Sequence, residues 1–204
     1  MGAVALFGGS FDPVHLGHVN AVKSLLSCRG DIERVMIMPA YVNPFKQGRK
    51  CASPMQRLEM CRIAFGGIPR CRVDSFEAER ETPSYTVVTL EYLCEKFPES
   101  ELILMMGSDS LESLTGWHRA GDILSMALIA AAARSGEDMA KISRYADIIR
   151  DMGGRVMIVP TKPLEISSTE IREKILKNED LSCYMDKNVV KYITDNKIYS
   201  GHEI

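Results

Sequence analysis

"FGGSFDPVHLGHV", residues 7–19, decides how the rest of the chain is read. It follows "AVALF" (3–7), a short apolar run of strand type that Gly8 and Gly9 bring to an end. It leads into a segment from about Leu16 to Ser27, where Val19, Val22, Leu25 and Leu26 recur at helical spacing. Strand, glycine turn and helix together make the first unit of a parallel α/β sheet. In such sheets ligands bind beyond the carboxyl ends of the strands, beside the point where strand order reverses. Glycines there let the backbone approach a ligand, and a helix N-terminus offers N–H groups to an anion. The spacing matches neither G-x-G-x-x-G nor G-x-x-x-x-G-K-[ST], so neither a dinucleotide fingerprint nor a P-loop is present.

Working outward, the alternation continues. "RVMIMPA" (34–40) is a second strand, and a punctuated stretch precedes a helix at "PMQRLEMCRIAF" (54–65). "CRVDSF" (71–76) alternates as a third strand, followed by a helix over 84–97. "ELILMMG" (101–107) is a continuous apolar strand of the kind covered on both faces. Residues 122–135 hold a helical turn and then a fifth strand, 137–154 a helix ending at paired glycines, and "RVMIVP" (155–160) a sixth strand. Two more helices, "STEIREKILK" and "DKNVVKYITDN", close the chain. The expected fold is α/β: a doubly wound, Rossmann-like parallel sheet with helices on both faces. It is expected as one domain over 1–204, helical from about residue 165.

Composition sets the outer bounds. Among 204 residues, 25 basic and 27 acidic side chains leave a net charge of −2, which does not mark a nucleic-acid binder. The longest apolar run, residues 126–133, is too short to span a bilayer, so no membrane partner is expected. The cysteines at 28, 51, 61, 71, 94 and 183 form no C-x-x-C pair and match no metal spacing. Such scatter reads as reduced thiols, and with no signal peptide visible it points to the cytoplasm. Self-association is left open.

His15 and His18, one helical turn apart at the mouth of the first helix, can present ring N–H donors to phosphate oxygens. Donors of this kind help where charge builds during phosphoryl transfer. Two other readings stand beside this one: a histidine that caps or packs the turn, and a zinc pair with Asp12. Near the other end, "EISSTEIREKI" begins just after the sixth strand. Ser167 and Glu170 fit a capping box, while the hydroxyls and Arg172 could hold a second phosphate group.

"GGSFDPVHLGH" and "ISSTEIR" together resemble the paired signatures of the H-x-G-H nucleotidyltransferase superfamily. "PSYT" (83–86), "GSDSL" (107–111) and "WHR" (117–119) narrow the resemblance to the bacterial nicotinate-nucleotide adenylyltransferases, with matches in order along nearly the whole chain. The resemblance implies that ATP and nicotinate mononucleotide are the substrates, giving deamido-NAD and pyrophosphate by direct attack of a phosphate on the α-phosphorus. It implies that His15 and His18 meet the ATP phosphates, with Lys46 and Arg172 as further catalytic cations. Gly8, Gly9, Ser10, Phe11 and Gly17 would form the ATP loop, Gly107 and Asp109 its ribose side, and Ser168 and Thr169 its triphosphate side. Tyr85, Thr86, Trp117 and His118 would receive the mononucleotide. Trp117, the only tryptophan, suits stacking on a flat ring, with core burial as its alternative. Magnesium would accompany ATP, held by phosphates and water, with no metal site in the protein itself.

The chain departs from that family in two places. Asn43 and Phe45 stand where a proline and a histidine are usual before Lys46, and His118 stands where a tyrosine is common. Two alternatives to the implied activity are an enzyme that prefers the amidated mononucleotide and a nucleotide sensor without turnover.

Overall fold

The computed structural model describes residues 2–42, 52–133, 136–162, 164 and 166–200. Six strands, β1 (Ala3–Gly9), β2 (Ile32–Pro39), β3 (Cys71–Val73), β4 (Glu101–Gly107), β5 (Ala127–Ala133) and β6 (Arg155–Pro160), form one sheet. Their order is β3-β2-β1-β4-β5-β6 and every pairing is parallel. The chain therefore winds outward one way from β1 and then, after β3, returns to wind the other way from β4. The switch point lies between β1 and β4, directly beyond Gly8 and Gly9.

Alternation along β1 divides the core. Ala3, Ala5 and Phe7 point to one face, with Val22 and Leu25 of α1 (Leu16–Cys28) and Met60 and Phe65 of α2 (Pro54–Phe65). Ile171 of α7 (Ser168–Leu176) and Val189 and Ile193 of α8 (Lys187–Asp195) complete that layer. Val4 and Leu6 point the other way, toward Leu90 and Leu93 of α3 (Thr86–Lys96), Leu111 of α4 (Ser108–Ser113), Ile123 of α5 (Ala120–Met126) and Ile142 of α6 (Gly136–Asp151). Burial on both faces is why the strands are continuous apolar runs.

Local signals account for several boundaries. The Ser53 hydroxyl caps α2 by accepting the Gln56 N–H at 3.2 Å while the Gln56 side-chain oxygen Oε1 takes the Ser53 N–H at 2.9 Å, and Pro54 sits at the first helical position. After α6, Gly153 turns the chain at φ +84°, a conformation that suits a residue without Cβ. The third strand is shorter than the sequence alternation predicts. It stops at Val73 because the Asp74 carboxylate accepts the Phe76 N–H at 3.0 Å and folds the chain into a side-chain-stabilised turn. The sequence pattern does not mark α4, and α5 begins two residues before the helical turn expected from residue 122.

Ile103 lies in central β4 with no exposed surface. Truncating it leaves a cavity that the packed layers close only in part, so Ile103→Ala is expected to destabilise the protein by about 2–5 kcal/mol. Urea unfolding of the two proteins side by side measures it.

Candidate active site

A cleft of about 720 Å³ opens above the switch point, within the usual range for a small-molecule site. Its floor is the end of β1 and the turn after it. Phe11 holds the left-handed backbone region, φ +47°, a conformation worth about 1–3 kcal/mol of local strain for a residue with a side chain. Its ring is 2% exposed and packs edge-on against Phe7 and Phe65 at 5.4 and 6.3 Å, which anchors the turn from below.

The two histidines stand on that anchor. Their ring centroids are 3.7 Å apart, and His18 also meets the Phe11 ring at 5.0 Å. The His15 backbone N–H donates to His18 Nδ1 at 3.1 Å, so a neutral His18 carries its proton on Nε2. Gly17 makes this stacking feasible, because a Cβ there would lie 3.0 Å from Cε1 and Nδ1 of His15. The first turn of α1 is less open to an anion than its sequence implies. The Tyr184 carbonyl takes the Leu16 N–H at 2.8 Å, and the His15 carbonyl takes the His18 N–H at 2.9 Å.

The opposite wall comes from the other end of the chain. Ser167 caps α7 by accepting the Glu170 N–H at 3.1 Å, as the spacing predicts. Ser168 donates its hydroxyl to the Pro13 carbonyl at 3.0 Å. Arg172 donates to the Asp12 carbonyl at 2.6 Å and to the Thr169 hydroxyl at 3.2 Å. The Asp12 carboxylate in turn accepts the Ala52 N–H at 3.0 Å and the Tyr199 hydroxyl at 2.6 Å. Burial, with the Asp12 charge beside it, pushes the Tyr199 phenol well above its ordinary range. Asp12 is thereby committed to holding the turn. Among the described residues, no group of three or more His, Cys, Asp or Glu side chains could hold a metal ion.

A third side is built by α3 and α4. Asp109, in the first turn of α4, extends its carboxylate toward solvent 3.6 Å from Lys141 Nζ. Trp117 donates from its indole N–H to the Ser113 hydroxyl at 3.1 Å; half-buried, it packs against the core layer of α3–α6 and also lines the cleft.

Of the residues singled out in the sequence, the cleft gathers Gly8, Gly9, Ser10, Phe11, His15, Gly17, His18, Thr86, Gly107, Asp109, Trp117, Ser168, Thr169 and Arg172. Tyr85 and His118 stand apart from that lining. Their rings meet at 4.8 Å, and Tyr85 borders a smaller neighbouring cavity of about 200 Å³. Lys46, with Asn43 and Phe45, lies outside the described residues. The cleft also contains Asn20, Arg57, Glu77 and Lys162, which the sequence reading passed over. Arg57 and Glu77 are buried, at 4% and 7% exposure. Burial pushes the Glu77 carboxyl above the usual carboxylate range, against the opposing pull of the Thr89 and Ser84 hydroxyls and the nearby Arg80 and Arg57. A charged residue that looks like an ordinary helix surface in sequence gives no sign that it will be buried; Arg57 follows the capped start of α2 by four positions, and only that hints at a role near the turn.

Comparison with known proteins follows the same geometry. A cytidylyltransferase-like family model matches residues 6–174. A protein of Roseiflexus castenholzii named probable nicotinate-nucleotide adenylyltransferase is 34% identical over 198 residues, covering 97% of this chain and 98% of its own. One of Bacillus pumilus with the same name is 33% identical over 201 residues, covering 98% and 100%. Among solved structures, a Plasmodium falciparum nicotinic acid mononucleotide adenylyltransferase complexed with NaAD superposes at TM-score 0.75 over 98% of both chains, with 18% identity, a likeness of fold.

The contact between Gly17 and His15 yields a test. Helix propensity favours alanine over glycine by about 1 kcal/mol, so Gly17→Ala should leave the thermal midpoint undiminished. The imidazole signals of His15 should nevertheless shift in NMR spectra, because the ring must give way to the new methyl group.

Proposed function

Since the chain belongs to the cytidylyltransferase-like family and, over its full length, to the nicotinate-nucleotide adenylyltransferases, we infer that it transfers the adenylyl group of ATP to nicotinate mononucleotide, releasing pyrophosphate and forming deamido-NAD. The observation that carries this reading is convergence. His15 and His18 from the first strand–helix turn and Ser168, Thr169 and Arg172 from α7 meet in one cleft at the switch point.

The chemistry follows from what those groups can do. The mononucleotide phosphate attacks the α-phosphorus of ATP in line, the bond to the β-phosphate oxygen breaks, and pyrophosphate leaves. The protein forms no covalent intermediate, so its work is alignment and stabilisation of the charge on the transferring group. His18, with its proton held on Nε2 by the bond at Nδ1, donates to a phosphate oxygen, and His15 stacks beside it. Gly8 and Gly9 let the backbone come close to the nucleotide, with Ser10 and Phe11 shaping the turn. Arg172 both closes the turn through the Asp12 carbonyl and supplies positive charge on the triphosphate side, next to Ser168 and Thr169. Lys46 adds a further cation to the phosphates. Asp109 receives a ribose hydroxyl, with Gly107 at the start of the same helix. Magnesium enters as the counter-ion of ATP, held by phosphates and water.

For the second substrate, the indole of Trp117 offers a face to the pyridine ring while its N–H is occupied by Ser113. Thr86 opens α3, and the positive end of that helix favours the nicotinate carboxylate. Tyr85 and His118, paired with each other beside the lining, serve as the rim of this subsite. Among the described residues no helix is long and apolar enough to cross a membrane. The chain is read as one cytoplasmic domain acting on these two small substrates.

The deciding experiment is pyrophosphate release with ATP and either the acid or the amide mononucleotide. Turnover with the acid is expected; silence with both would leave a nucleotide-binding protein without catalysis, and a strong preference for the amide would reverse the substrate assignment. His18→Ala should lower kcat by about 10²–10³-fold, the loss usual for one transition-state donor, with an unchanged circular dichroism spectrum.

A further inference from the structure

Arg57 is a buried cation whose hydrogen bonds all go to main-chain carbonyls. Nη1 donates to Ser10 at 2.7 Å, Nη2 to Tyr41 at 2.8 Å and Nε to Ala52 at 3.1 Å. Burying a charge costs several kcal/mol unless it is well satisfied, so a guanidinium at 4% exposure that makes three such bonds is a structural commitment. Its planar fork sets the three carbonyls at fixed distances and directions from one another.

The bonds run between the two halves of the cleft. Ser10 belongs to the turn that carries His15 and His18. Tyr41, beyond the end of β2, is gripped a second time: the Ser84 hydroxyl accepts its N–H at 3.0 Å. The buried Glu77 carboxylate, whose titration the nearby Ser84 hydroxyl pulls down against its burial, accepts the Thr89 hydroxyl at 2.5 Å. Ser84 donates its own N–H to the Val42 carbonyl at 3.1 Å, and Val42 and Pro83 form an isolated parallel bridge. A continuous path therefore leads from Ser10 through Arg57 and Tyr41 to Ser84, two residues before Thr86 at the start of α3.

We propose that Arg57 is a positioning residue that sets the spacing between the phosphate turn at Ser10 and the 83–86 segment, and so aligns the two substrates for in-line attack. The inference rests on the adenylyl-transfer reading above. In a direct displacement each substrate can bind to its own subsite while the reacting atoms stand out of line, and a misplacement of about 1 Å can cost about 10²-fold in rate. A residue that spans the subsites without belonging to either acts on kcat more than on the KM of either substrate.

Arg57→Lys keeps the charge but has no planar fork with which to reach three carbonyls. In the full-length chain, kcat at saturation with both substrates is expected to fall at least about tenfold, with each KM within about threefold of the wild type. Ser84→Ala removes the hydroxyl that holds the Tyr41 N–H and leaves Arg57 in place; it should lower kcat in the same direction by a smaller factor. A Lys variant that loses thermal stability yet keeps kcat within twofold would make Arg57 merely structural and overturn the proposal. So would a loss confined to the KM of one substrate. If Arg57→Lys does not fold, Ser84→Ala decides: an unchanged kcat overturns the proposal and a reduced one supports it. An inactive wild type would fail the parent reading, whereas an active wild type beside an equally active Lys variant fails this one alone.

Discussion

Capture of the main chain at residues 10–12 is the constraint on which the site depends. A turn beyond a strand end has no ladder to satisfy its carbonyls, and buried backbone groups must be paired. Here distant side chains do it: Arg57 takes the Ser10 carbonyl and Arg172 the Asp12 carbonyl, while Tyr199 and the Ala52 N–H hold the Asp12 carboxylate. Both arginine bonds are charge-assisted and short, at 2.7 and 2.6 Å, the strong class of hydrogen bond. Phe11 completes the hold from beneath by burying its ring while its backbone stays in the left-handed region.

With the turn held, the rest of the geometry follows. His15 caps the start of α1 at the carboxyl end of the sheet, Gly17 leaves room for its ring, and His18 lies against it with its tautomer set by the His15 N–H. The return of α7 to the same end is made possible by β6, which runs parallel to the other strands and delivers the chain to their carboxyl ends before "ISSTEIR". The Arg172 guanidinium closes the turn and also lines the cleft. The Asp12 carboxylate is taken up by the Tyr199 hydroxyl and the Ala52 N–H.

Much of the architecture was legible because parallel strands buried on both faces leave uninterrupted apolar runs, and because glycines and capping residues punctuate them. β4 and β6 appear where their sequences place them, whereas β1 runs two residues further, through Gly8 and Gly9, which pair with Met38 and Pro39. The shortened β3 escaped notice because the alternation of "CRVDSF" continues past Val73 while the Asp74 carboxylate redirects the backbone, and a side-chain bond overrides a pattern. Short helices such as α4 were missed since six residues show too little periodicity to register. In the site, most residues of the motifs meet in the cleft while Tyr85 and His118 stand beside it, and no motif points to Arg57, Glu77 and Lys162. Their types are usual on surfaces, and nothing local distinguishes a buried arginine from an exposed one.

What the sequence by itself determined is the set of parts: a parallel sheet, a glycine turn with two histidines one helical turn apart, and a hydroxyl-rich helix start with an arginine after the last strand. These are local features, set by spacing and residue type. Only the tertiary structure decided which parts meet. It brought Arg172 within 2.6 Å of Asp12 across 160 positions of chain, turned Tyr85 and His118 toward each other beside the cleft lining, and placed Arg57 between two loops whose sequences make no reference to it. The physical reason is that the need to pair buried carbonyls and charges is met by whichever group the folded sheet delivers, and sheet order is a property of the whole chain.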